Sequence, residues 1–328
     1  MTATKTARRE ARIERSLTLH FYGDWGQANL HRVFCWLSQE MVDRTGPHSR
    51  YPIWNGRGVA DAVRVVGRGL MDVALSVPVA FVPPALEGRD LYAGEPFPHL
   101  RGLAVIPQDD RMLFAIDRKF GIRSFDDLRR KKPPLRIATS MDDGENTVGY
   151  CAHRILEASG VSRSELISWG GSWLEAERPD QVIGFAMRGE ADAVFHEAVM
   201  APWWRDYADK HLLHYIPIEP SVLDALERRH GWLRGSLPSG YLRGMDENLS
   251  TLDFSDFLML VREDMPHDVA YLLTWCLCET RANLERVYRH IPPERAGITY
   301  PLDPARMART LIPLHPGAAA YYNEIGVL

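Results

Sequence analysis

"LRIATSMDDGENTVGYCAHRILEASG", residues 135–160, contains the unit from which the rest of the chain is built. "LRIATS" has the length and β-branched content of a strand, and "DDGEN" the Gly, Asp and Asn of a loop. After it, Val148, Cys151, Ala152, Ile155 and Leu156 recur at intervals of three and four, so they share one face of a helix. Strand, glycine-bearing loop and helix in that order form the α/β unit. The loop falls at the carboxyl end of the strand, where such proteins hold small ligands.

The same grammar extends both ways. Upstream, "LTLHFYG" (17–23) reads as a strand and "NLHRVFCWLSQEMVDRTG" (29–46) as an amphipathic helix stopped by Gly46. "GVADAVRVVGRGLMDVALSV" (58–77) is a helix closed by glycine and followed by a strand. "GLAVIPQ" and "MLFAIDR" are strands on either side of "PQDD", read as a crossing between lobes. Downstream, "LISWGG" (166–171) is strand-like, "PDQVIGFAMRGEADAVF" a helix and strand, and "HEAVMAPWW" (196–204) a loop. "DFSDFLMLVRE" returns to a strand before one long helix, "HDVAYLLTWCLCETRANLERVYRH". The repeated plan predicts α/β architecture, a largely parallel sheet in each half, and two lobes with a cleft between them.

Composition narrows the function. The 328 residues carry 39 basic and 43 acidic side chains, a net charge of -4, so nothing marks a nucleic-acid partner. Four cysteines in such a length make no disulfide framework. Cys276 and Cys278, two apart, offer no zinc spacing. Residues 1–16, "MTATKTARREARIERS", are a charged N-terminal extension with acids interleaved, read as a solvated helix rather than a basic arm. Neither a secretory signal nor 18 consecutive apolar residues is present, so the chain as written is expected in the cytoplasm with no membrane span. A signal sequence missing from it would make it periplasmic.

Several pieces resemble the TAXI family of TRAP-transporter solute receptors. They are "GVADAVRVVGRGLMDVALS", "IATSMDDGENTVGYCAHRILEASGV", "GFAMRGEADAVF", "GYLRGMDENLSTLDFSDFLMLVREDMPHDVAYLLTWCL" and the closing "LIPLHPGAAAYYNEIG". The match runs in order over about residues 17–326. The resemblance implies a type II periplasmic-binding-protein fold, with two α/β lobes, two crossing strands and hinge closure over a glutamate-like or other small carboxylate. Lobe 1 is then expected from 17–107 plus 253–328 and lobe 2 from 108–252. The family's ligand loops fall on 22–29, 76–83, 140–149 and 196–204, which makes Asn29 and Trp203 expected contacts. TRAP membrane subunits are implied as partners if the chain is exported. It departs from the family in lacking a signal, in "YGDWGQAN" where Gly, Ser and Thr are usual, and in the charged "HEAVMAPWW".

Within those loops the residue types suggest chemistry. A helix beginning near Asn146 or Thr147 offers free amides of Asn146, Thr147, Val148 and Gly149 to a carboxylate. The plainer reading is that Asn146 or a neighbouring acid caps the helix. Whether Asp142, Asp143 and Glu145 also hold a cation is open at this point. Tyr22 and Trp25 flank Asp24, an aromatic wall with one acid that suits a ring or a cationic group. Arg57 can clamp a carboxylate, and Trp173, with Trp169, can wall the cleft.

His196 and Glu197 follow a strand, where a histidine can serve as general acid or base with a carboxylate fixing its tautomer. Two function classes therefore stand. One is a TAXI-type protein binding a small carboxylate, amino-acid-like or aromatic. The other is a cytoplasmic, cofactor-independent lyase on the same fold, an aromatic-acid decarboxylase or dehydratase. It would move protons with His196, aided by Glu197 and Asp24. No cofactor and no metal is expected in either case.

Overall fold

In the computed structural model, which describes residues 10–24 and 29–328, short buried apolar segments become strands and the amphipathic segments cover them. Twelve strands are present among the described residues. They are β1 (Phe21–Tyr22), β2 (Ile53–Trp54), β3 (Val73–Ser76), β4 (Leu100–Ile106), β5 (Leu113–Asp117), β6 (Arg136–Ser140), β7 (Ser172–Ala176), β8 (Ala193–His196), β9 (Leu213–Tyr215), β10 (Arg234–Leu237), β11 (Leu249–Leu252) and β12 (Phe257–Arg262). They form two five-stranded sheets, ordered β2-β1-β3-β12-β4 and β7-β6-β8-β5-β9, and a β10-β11 ribbon. The expected two-lobed α/β fold is present, but the sheets are mixed. β1, β2 and β3 run parallel, as do β6, β7 and β8, while β12 and β5 pair antiparallel with both neighbours. Each antiparallel strand lies directly beyond a crossing, so it enters its sheet from the opposite end.

The helices obey their apolar faces. Asn29–Val42 buries Leu30, Val33, Phe34, Leu37 and Met41, and Thr147–Ala158 buries Val148, Cys151, Ala152, Ile155 and Leu156. Three sequence readings fail, the first at residues 10–16, the described part of the expected solvated helix, which are not helical and bury Ile13. Leu166–Ser168, expected as strand, belongs to the helix Arg163–Ser168, started by a capping box in which Ser162 and Glu165 satisfy each other's amides. The expected long helix is two, His267–Glu279 and Arg281–Tyr288, broken at Thr280, whose hydroxyl donates to the Cys276 carbonyl at 2.7 Å. Among the described residues no helix is long and apolar enough to cross a membrane.

Two connections, residues 107–112 and 253–256, run between the sheets side by side. Phe254 N donates to Asp110 O at 3.0 Å, Asp256 N to Gln108 O at 3.2 Å and Met112 N to Leu252 O at 3.1 Å. The Arg111 guanidinium ties them further, meeting Asp253 at 2.8 Å. "PQDD" is thus half of a two-stranded hinge.

Candidate functional site

A cavity of about 450 Å³ lies where the loops of both sheets meet the hinge. Asp24, Asn29 and Arg57 reach it from the first sheet's side. Asn146, Val148, His196, Glu197 and Trp203 reach it from the second, and Gln108 and Phe254 from the hinge. Its walls are mostly apolar, with Leu30, Val59, Val77, Met200, Phe257 and Ile291 among them. That composition suits a small organic molecule with an apolar body and few polar groups.

The cavity gathers most of the residues singled out in sequence, though several are already engaged by the protein. Asp24 is 2 % exposed, and its carboxylate accepts from Leu30 N at 2.9 Å and His31 N at 3.2 Å, so it caps the helix that follows. Asn146 likewise accepts from Val148 N at 3.0 Å and Gly149 N at 3.2 Å. The plainer capping reading therefore describes this helix start, and those two amides are not open to a ligand carboxylate. Thr147 is buried. Gly149 is needed for close packing, since a Cβ there would lie 2.1 Å from Met141 O.

Arg57 is clamped by the protein's own acids, Asp143 at 2.6 Å and Glu177 at 2.7 Å, which come from the other sheet's loops. Asp143 also accepts from the Glu145 and Asn146 amides, and Asp142 meets Arg154 at 3.3 Å. Tyr22 lies outside the cavity, in an adjoining crevice, and donates its hydroxyl to Asp61 at 2.9 Å. Trp173 lies elsewhere, packed on His153 with ring centroids 4.6 Å apart. Trp25 lies outside the described residues.

His196 and Glu197 do converge. Ala198, held at φ +62°, turns the chain just after β8, and its amide donates to Asp110 at 3.1 Å. The His196 Nε2 lies 2.9 Å from the Ser140 hydroxyl and its Nδ1 3.2 Å from a Glu197 oxygen. Burial pushes His196 down to about 4, so the ring is neutral at pH 7. Glu197 hydrogen-bonds Asp110 of the hinge, and burial raises both carboxyls. Two buried acids in contact cannot both be charged at little cost, so ionising one disfavours ionising the other.

Sequence reasoning missed the cavity's other polar groups. Arg295 lies over the Tyr241 ring, 3.7 Å from its centroid, and donates one N–H to the Tyr241 carbonyl. Its Nη1 is buried and has no hydrogen-bond partner among the described residues. Arg32 and Arg205 line the cavity and are exposed. Gln108 is 5 % exposed, and its Oε1 also lacks a partner among the described residues. No local pattern marks these positions, because their role comes from elements brought together by the fold.

The model of the NMT1-like family matches residues 52–326. No curated protein matches the chain. Among solved structures, MatC from Rhodopseudomonas palustris with bound malate is similar at 12% identity and a TM-score of 0.52, over 95% of this chain and 97% of that one. A Xanthomonas citri protein bound to ATP is similar at 14% identity and a TM-score of 0.50, over 94% and 100%. A structure described as a periplasmic transporter is similar at 14% and 0.50, over 94% and 95%. At such identities the likeness establishes the fold, that of two-lobed periplasmic binding proteins.

Proposed function

Because the chain belongs to the NMT1-like family, we propose that it is a solute-binding protein that closes its two lobes over one small organic acid. The observation that carries this reading is Arg295, a cavity-lining guanidinium whose buried Nη1 has no protein partner among the described residues. A buried charged donor without an acceptor is costly, and a carboxylate is the group its planar fork fits. Arg205 and Arg32 add positive potential at the same cavity. MatC, which shares the fold, carries malate, a small carboxylate.

The finer reading is a TAXI-type receptor. Its lobes are taken as 17–107 plus 253–328 and 108–252. Asn29, Asn146, Val148 and Trp203 contribute walls, and the ligand carboxylate goes to Arg295 rather than to the 146–149 amides. TRAP membrane subunits are its partners if it is exported. Isothermal titration with benzoate and its substituted forms tests the site, with Arg295→Gln expected to weaken binding at least tenfold, on the order of a lost charged hydrogen bond. Undiminished affinity in Arg295→Gln would place the acid elsewhere.

The chain of Ser140, His196, Glu197 and Asp110 favours a second reading, the lyase. A neutral His196 at the cavity wall can accept a proton, and the Asp110–Glu197 pair, whose carboxyls burial raises, can hold one. Product analysis after incubation with the acids that bind separates the two. Turnover lost in His196→Gln while binding persists would favour the enzyme.

A further inference from the structure

Of the buried polar atoms without a partner among the described residues, two belong to walls of this cavity, and they have opposite character. Arg295 Nη1 is a charged donor, and Gln108 Oε1 is a neutral acceptor. Buried groups of either kind are almost always satisfied, so each calls for an occupant. The Gln108 amide is oriented by its neighbour. Its Nε2 faces the Met200 sulfur at 3.7 Å, a contact that suits an N–H and not a carbonyl, so the oxygen is the free end. The residue is held by its backbone as well, since Gln108 N donates to Asp256 at 2.9 Å and its carbonyl accepts from Asp256 N. A rigid acceptor therefore waits on the hinge, in the same cavity as the arginine.

Resting on the small-acid reading above, we propose that Gln108 is the residue that selects the ligand, favouring acids that carry, away from the carboxylate, an uncharged hydrogen-bond donor such as a hydroxyl. Electrostatics disfavours the charged alternatives. An ammonium would meet Arg32, Arg205 and Arg295, while the acids of the lining are already engaged, Asp24 by helix amides, Glu177 by Arg57, Asp180 by Arg178 and Glu197 by Asp110. A second carboxylate would set its oxygens against the Gln108 oxygen and beside the buried acids Glu197 and Asp110. A hydroxyl matches the acceptor and brings no charge.

The test compares 3- and 4-hydroxybenzoate with 3- and 4-methylbenzoate, of nearly the same size, and with 4-(aminomethyl)benzoate, by isothermal titration. The wild-type protein is expected to prefer one hydroxy acid over its methyl counterpart by about tenfold, because the methyl group leaves the Gln108 oxygen unpaired. In Gln108→Met the ratio should fall close to one. If that variant does not fold, Gln108→Asn, whose amide stops one methylene short, should lose most of the preference. Equal binding of hydroxy and methyl acids, or a preference that survives in these variants, overturns the role of Gln108 and leaves the acid site standing. Tightest binding of the aminomethyl compound overturns it as well, since the wall would then read a cation. If none of the five acids binds, the small-acid reading and this proposal fall together.

Discussion

Arg57→Ala should unlatch the two lobes. Arg57 comes from the first sheet's side, and both of its acid partners come from loops of the second. The Asp143 arm is 2.6 Å long between side chains 23% and 32% exposed, and Asp143 is already held by two backbone amides, so little ordering opposes the pair. That arm is worth about 1 kcal/mol, at the upper end for partly exposed pairs. The Glu177 arm, 40% exposed at its acid, is screened and worth roughly 0.3 kcal/mol. Together they favour the closed arrangement by about 1.3 kcal/mol, close to tenfold in population. Spin labels at exposed Leu70, just before β3, and Ile167, in the helix before β7, report lobe separation by pulsed dipolar spectroscopy once exposed Cys35 is replaced by serine. The open-to-closed ratio should rise about tenfold in Arg57→Ala, with much of the difference lost in ~1 M salt, where surface pairs are screened. A distance distribution identical to wild type at low salt would refute the reasoning. Lobe contacts such as the His230–Asp90 pair, 2.8 Å long, would then carry the closure.

Two further predictions concern acid. His196 is pushed down to about 4 by burial, so on acidification the unfolded chain takes up this proton before the folded one. Its contribution is fully present above about pH 6.5 and should be lost between there and pH 4, about 3 kcal/mol in all. Urea titrations across that interval should show a shallower decline in His196→Gln, and parallel declines would sink the idea. For Asp192, burial opposes ionisation, but hydrogen bonds from Arg136 (2.8 and 2.9 Å) and Lys119 (3.1 Å) outweigh it and hold the carboxyl at about 2. That contribution is present above about pH 4 and lost as pH falls through 2, so Asp192→Asn should cost about 2 kcal/mol at pH 7. A midpoint unchanged from wild type would show that the ion pairs contribute nothing.

The units that the sequence announces are those whose signal is local. The 29–42 and 147–158 helices reveal themselves by apolar spacing, and the loops between strand and helix by Gly, Asp and Asn. The helix at 163–168 was legible too, since "SRSE" at 162–165 is a capping box, but the β-branched Ile167 and the glycines after it favoured a strand reading. Strand direction was not legible, because an apolar run reads the same whichever way it enters a sheet. The site divides similarly. His196 and Glu197 were visible as reactive types at a strand end, whereas Gln108 and Arg295 are ordinary residues until folding buries them without partners. Asp24 and Asn146 show the reverse, polar residues in ligand loops whose own helix amides claim them first.

The sheet order β2-β1-β3-β12-β4 has a consequence for synthesis of the chain. β12, residues 257–262, lies between β3 and β4, yet it leaves the ribosome after every strand of the second sheet, whose last member ends at Tyr215. Until it arrives, β3 and β4 present bare apolar edges with no strand between them, while β5 to β9 can already pair. The segment encoded in the middle is thus free to fold first, and the segment encoded at the start must wait for the end. During that interval the nascent chain is most exposed to mispairing, and chaperone capture should be concentrated there.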